Sequence, residues 1–381
     1  MAKLFEPFQI RDLRFKNRIS VSPMSQYKAL NGYANDWHFA HLSRFALGGC
    51  AAIFTEATGV SAEGRRTHGD LGLWEDAQIV ELKGITHFIH QQNAIAGVQL
   101  AHAGRKASER RPWHGETPVN HEDIALRNEA PWQALSPTAE PYGEAWPAPK
   151  AMTETDIKKV IDDFGTAARR ADEAGFDAIE VYAAHGFLLH QFYSPLCNTR
   201  EDSWGGSFEN RVKLSVEVAK SIRQHWPDKK ALFFRISATE WLDDGWDIKD
   251  SVALAKLLKS HGVDLIDCSS GGIGGGMGSE RPMPRFPLGP AFQADLAKQV
   301  RREADIATMA VGLIWQAQVA ENVVASGQAD LIAMGRELLN NPNWTLHAAM
   351  ELEVDPDYRL WDDAMGWWLK KRKRLLDKLA R

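Results

Sequence analysis

Cysteine is scarce in this 381-residue chain: only Cys50, Cys197 and Cys268 occur, far apart and with no Cys-x-x-Cys. That argues against a zinc ribbon or an iron–sulfur cluster held by this chain alone. Few thiols without a framework point to a reducing compartment, so the cytoplasm is the expected location. An excess of positive charge is also missing. Lys and Arg number 45 against 50 Asp and Glu, for a net charge of −5, which gives no support to nucleic-acid binding. No apolar run approaches the ~20 residues needed to cross a membrane, and the start, "MAKLFEPFQIRDL", has no apolar signal core. No P-loop, His-Glu-x-x-His or Gly-x-Ser-x-Gly motif is present. His38 and His41 share a helical face, but no Cys or carboxylate is evidently paired with them, so no metal is expected.

What the chain has is regular alternation. Eight short apolar runs read as strands: Ile19–Ser22, Ala51–Ala57, Ala96–Leu100, Ala178–Tyr182, Leu232–Ile236, Leu265–Ser269, Ala307–Val311 and Leu331–Met334. A helical pattern follows each, beginning near Asp36, Asp76, Thr153, Ser207, Asp247, Pro290, Gln316 and Arg336. Gly175, Gly262 and Gly327 each close a helical pattern and lead into a strand. Eight βα units predict a closed (β/α)8 TIM barrel, one domain over residues 1–381. The competing open doubly wound sheet normally carries a glycine-rich phosphate turn after its first strand, and "PMSQYKALNGY" is not one. Residues 5–18 are expected to form a β-hairpin or extended piece capping the barrel floor. The weakly periodic stretch 103–150 is a long excursion after strand three, over the mouth. The stretch "SGGIGGGMG" after strand six fits no Gly-x-Gly-x-x-Gly register and reads as a mobile loop over the same mouth.

Alternation also assigns side chains. Gln99, Glu180, Tyr182 and Arg235 point into the barrel near the strand ends, with His185 just above. Unlike polar groups gathered on one rim suggest a site, although Arg235 and Glu180 would also suit a structural pair. Gly312 and Gly335, with Arg336 opening a helix, fall after strands seven and eight, where barrels often hold phosphate. An amide at Gln99 and a cation at Arg235 suit the pyrimidine edge of a flavin.

The phrases "LFEPFQIRDLRFKNRI", "SPMSQY", "NDWHFAHL", "TEATGVSAEGR", "QLAHAGRKA", "GGSFENR", "RISATEW", "DLIDCSSGG" and "MGRELLNNP" resemble the Old Yellow Enzyme family of FMN-dependent oxidoreductases. The likeness covers nearly the whole chain and is closest to a bacterial subclass frequent in thermophiles and soil bacteria. It implies an FMN-loaded barrel that takes hydride from NADPH or NADH and gives it to the β-carbon of an electrophilic alkene (an enone, enal, maleimide or nitroalkene). By position, FMN is expected at Pro23, Met24, Ser25, Ala57, Gln99, Arg235, Gly312, Gly335 and Arg336. Tyr27, Tyr182 and His185 are the expected catalytic residues. Ser25, Tyr27, Tyr182, His185, Phe187 and Arg372 are expected to meet substrate.

Three of these positions depart from the family pattern. Relatives usually carry His at position 182, a proton-donating Tyr at 187 and, in this subclass, Cys at 25. Phe187 has no proton to give, so Tyr182, Tyr27 or water must supply it. The Tyr-x-x-His spacing is also similar to that of an amine-dehydrogenase branch, which keeps oxidative demethylation or desaturation open as an alternative. A non-redox FMN isomerase is a third. The C-terminal "MGWWLKKRKRLLDKLAR" reads as a terminal helix. In this subclass that segment reaches a neighbouring subunit, making Trp367, Trp368 and Arg372 interface candidates and a homodimer or homotetramer the expected assembly.

Overall fold

The computed structural model describes residues 2–274 and 286–379. Eight parallel strands close on themselves: β1 (Ile19–Val21), β2 (Ala52–Gly59), β3 (Ile95–Ala101), β4 (Ala178–Ala183), β5 (Ala231–Ser237), β6 (Leu265–Ser269), β7 (Ala307–Val311) and β8 (Leu331–Met334). Each pairs with the next, and β8 and β2 both pair with β1, so no edge remains open. All eight predicted strands are present, within two residues at either end. The helices α1 (Asp36–Leu47), α2 (Ile79–Gln91), α3 (Glu154–Glu173), α4 (Phe208–His225), α5 (Ile248–Ser260), α6 (Ala294–Ala304), α7 (Ala317–Ala325) and α8 (Arg336–Asn340) follow the strands in turn. Thr153 caps α3 in a capping box with Asp156. Gly175, Gly262 and Gly327 adopt φ of 87°, 87° and 73°, the left-handed turn that returns the chain to β4, β6 and β8.

The barrel interior has two layers. Below, Phe54, Phe233, Met309 and Leu331 fill the bore. The hairpin Phe8–Ile10/Leu13–Phe15 plugs the floor, as expected, with Phe15 stacked 6.5 Å from Phe233. Above them the inward side chains turn polar. The helix expected from Arg336 breaks after Asn340 and resumes at Trp344–Glu351, because Pro342 cannot donate to a continuing helix. The excursion is better ordered than its composition suggests. It holds a helix at His121–Arg127 and a strand pair, Leu135–Ser136 with Lys150–Ala151. Ion pairs Arg66–Glu109, Arg110–Asp123 and Arg111–Glu129 tie it down. From Gly275 on, the glycine-rich loop expected over the mouth lies outside the described residues.

Candidate active site

A cavity of about 400 Å³ opens at the C-terminal ends of β7, β8 and β1, and reaches Arg235 on β5. Pro23, Met24, Arg235, Gly312, Gly335 and Arg336 all line it, joined by Ser22, Leu313 and Trp315, which the sequence reading did not single out. Gly312 has φ of 115°, a conformation that disfavours any side chain. Ala57 and Gln99 lie deeper, paired across β2 and β3 and almost fully buried. Ser25 is half-buried in the loop after β1.

The inward polar layer is a connected set. Gln99 Nε2 donates to Glu180 Oε1 at 2.7 Å. Arg235 Nη1 donates to Ser22 Oγ at 2.9 Å, and its Nε lies 3.3 Å from Asp267 Oδ2. Arg235 therefore pairs with Asp267 on the adjacent strand, and Gln99 is the hydrogen-bond partner of Glu180. Burial pushes Glu180 well above the ordinary carboxylate range, the charge of Asp267 adding to the effect and Arg235 opposing it. Burial raises Asp267 as well, with the adjacent Arg235 opposing it, so the proton of the pair is favoured on Glu180 and the charge on Asp267 beside the guanidinium. One Gln99 amide N–H is engaged, which leaves the carbonyl oxygen to accept and the second N–H to donate.

A second cluster stands above this layer. Tyr182 Oη is 2.9 Å from His185 Nδ1, and His185 Nε2 is 2.6 Å from Ser269 Oγ. Both ring nitrogens of His185 are thus engaged. Burial holds the His185 imidazole neutral and raises the Tyr182 phenol. His185 has φ of 53°, held by Ser237 Oγ on its own N–H and by Lys106 Nζ on its carbonyl, 2.9 and 2.8 Å away. Phe187 is buried, and its ring stacks on Tyr182 at 4.1 Å; it is a wall behind the phenol.

Tyr27 is brought to the same mouth by a carboxylate that sequence reading missed. Glu56 Oε2 accepts the Gln26 and Tyr27 N–H groups at 2.7 and 3.4 Å, while Oε1 lies 3.2 Å from His38 Nε2. A bulge in β2 between Phe54 and Ala57 sets the local direction of the strand. Burial pushes the Tyr27 phenol up to about 12. Arg372 is not brought in: it is exposed on the helix Asp363–Leu379, whose one fully buried residue is Gly366. Within one chain it has no hydrogen bond or ion pair to a site residue among the described residues.

The arrangement is a shallow cleft with backbone and glycine at one end, an acceptor and a cation at the other, and phenols above. A family profile described as the NADH:flavin oxidoreductase / NADH oxidase family matches residues 3–355. The chain belongs to that family. An NADH:flavin oxidoreductase of Gibberella zeae is 42% identical over 369 residues, covering 93% of this chain and 86% of that protein. An NADPH dehydrogenase of Geobacillus thermodenitrificans is 42% identical over 354 residues, covering 92% and 95%. Among solved structures, morphinone reductase superposes with a TM-score of 0.72 at 23% identity, over 91% of this chain and 89% of that one. A 2-naphthoyl-CoA reductase complex gives 0.80 at 23% identity, over 94% of this chain, which spans about half (53%) of that chain. These structural likenesses support the barrel alone. The family membership makes this NADH:flavin oxidoreductase relative an NAD(P)H-dependent flavin enzyme with FMN as cofactor. The cleft fits that group: Gln99 offers an acceptor, Arg235 a cation with a buried Nε lacking a hydrogen bond, and the Gly312 and Gly335 backbone borders the other end without a side chain.

Proposed function

We propose that this enzyme reduces electron-poor C=C bonds, those of enones, enals, maleimides and nitroalkenes, at the expense of NADPH or NADH. Pro23, Met24, Ser25 and Ala57 would border FMN, Gln99 and Arg235 would meet its ring edge, and Gly312, Gly335 and Arg336 its phosphate. When bound, FMN supplies two-electron hydride transfer between nicotinamide and acceptor.

The chain's own residues supply the rest. The observation that carries the reading is the Tyr182–His185–Ser269 chain. Ser269 Oγ is closer to His185 Nε2, at 2.6 Å, than to Gln293 Oε1, at 3.5 Å. With the Ser269 proton on that short contact, His185 Nδ1–H donates to the Tyr182 oxygen, and the Tyr182 proton is directed to the ligand. Tyr182 then polarises the acceptor's oxygen or protonates its α-carbon, the task for which Phe187 has no hydroxyl. Tyr27, beside the same mouth, borders the substrate. The exposed Trp367, Trp368 and Arg372 would meet a second copy of the chain, giving a homodimer or homotetramer.

The same Tyr182–His185 contact favours one second reading: a neutral imidazole beside a phenol also suits oxidation of an amine held as its free base. One anaerobic experiment separates the two. Holoenzyme reduced with NADPH and mixed with 2-cyclohexen-1-one or maleimide regains its oxidised flavin spectrum if the first reading holds. Bleaching of the oxidised enzyme by a tertiary amine, with no response to the alkenes, would replace it with the second.

A further inference from the structure

Arg105 sits in the turn after β3, where the excursion begins. It is 5% exposed. Its Nε is buried without a hydrogen bond, and among the described residues no carboxylate pairs with its guanidinium. The Tyr142 ring centre lies 5.8 Å from the guanidinium carbon. A buried arginine without a counter-charge is costly. The neighbouring arginines do not share this condition, since Arg66, Arg110 and Arg111 each meet a carboxylate.

Arg105 lines a separate cavity of about 250 Å³ inside the excursion, walled by Trp132, Trp146, Pro118 and Ala134. Ser108 lines it too. Its hydroxyl oxygen accepts the Trp132 N–H at 3.0 Å, which leaves its own proton to donate. Arg105 and Ser108 thus bring donors to this space, one of them a guanidinium; Gln133, whose Nε2 donates to the Ala134 and Ala148 carbonyls, lies on the exposed side, and the other walls are aromatic or apolar. No residue lining this cavity also lines the one that fits FMN. Ala107, Trp132 and Ala134, which border the cavity, pack in the apolar cluster that contains Phe187 and meets Tyr182.

We propose that the excursion holds a binding site for a small apolar carboxylate, its carboxylate on Arg105 and Ser108 and its apolar body between Trp132 and Trp146. A planar two-oxygen anion matches the guanidinium fork, and the charge-assisted pair forms on a buried guanidinium at the closed side of the space. An acid of benzoate size suits the volume and the ring-lined walls.

The test is a 19F NMR titration of the FMN-loaded enzyme with 4-fluorobenzoate, with 4-fluorobenzyl alcohol as the neutral comparator. Saturable binding of the acid is expected, and none of the alcohol. Arg105→Met should weaken the acid by roughly tenfold or more. Ala148→Phe, at the exposed border of the cavity, should also weaken it without moving the thermal midpoint, and serves if Arg105→Met does not fold. The flavin absorbance should not change during the titration. Absence of saturation, equal affinity in the variants, or a flavin shift that tracks binding and so puts the acid over the flavin would each overturn the proposal.

Discussion

The Tyr182 hydroxyl and the His185 imidazole form one unit: Oη and Nδ1 are 2.9 Å apart, and the other ring nitrogen is held by Ser269. Removing the hydroxyl with Tyr182→Phe should slow alkene reduction by about 10²-fold or more, the usual contribution of a positioned acid. Reduction of the enzyme by NADPH should change little. Stopped-flow measurement of both half-reactions checks this. An unchanged alkene step would assign the proton to water or to Tyr27.

Phe187→Ala removes the ring stacked on Tyr182 and opens a hole among Ala57, Ala101, Ala103 and Ala107. A stability loss of about 3–5 kcal/mol is expected from chemical denaturation. The alkene step should also slow, because Tyr182 loses the surface that fixes its plane.

Glu56→Ala frees the Gln26 and Tyr27 amides from their shared acceptor. The substrate KM should rise several-fold with FMN retained, since Glu56 itself is not among the residues lining the flavin-fitting cavity. A loss of FMN with unchanged KM would contradict this assignment.

The buried acids make a pH prediction. Glu180 has its proton affinity raised above the ordinary value of 4.5. Above that pH the unfolded chain releases the proton while the folded chain keeps it. Stability therefore falls as pH rises, until the folded value is passed. Glu180→Gln, which mimics the neutral acid, should not show this fall. The thermal midpoint of the variant relative to the parent should rise as the pH is raised above 4.5. Asp267→Asn is the contrast: it leaves Arg235 without its counter-charge and should cost about 3–5 kcal/mol.

The fold was legible in the sequence because each βα unit carries its own punctuation. Gly175, Gly262 and Gly327 mark the helix-to-strand turns, and the apolar runs are short and bounded. The strand-borne part of the site was legible for the same reason: period-two alternation places Gln99, Glu180 and Arg235 inward. Carried one strand further, it places Asp267 and Ser269 inward as well, between Ile266 and Cys268 facing out. Glu56 was beyond such reasoning. The bulge between Phe54 and Ala57 breaks the alternation where it would be read, and its partners Gln26 and Tyr27 belong to another loop. The engagement of both His185 nitrogens depends on Ser269, 84 residues away, a contact no local pattern encodes.

The central claim is that this barrel mouth delivers hydride from a nicotinamide to an activated alkene. Its most direct test follows the atoms. NADPH carrying deuterium at both C4 positions, turned over anaerobically by the FMN-loaded enzyme with 2-methyl-2-cyclohexen-1-one in ordinary water, should give product with deuterium at the β-carbon and a solvent-derived proton at the α-carbon. Unchanged enone, or product without deuterium at the β-carbon, would contradict it.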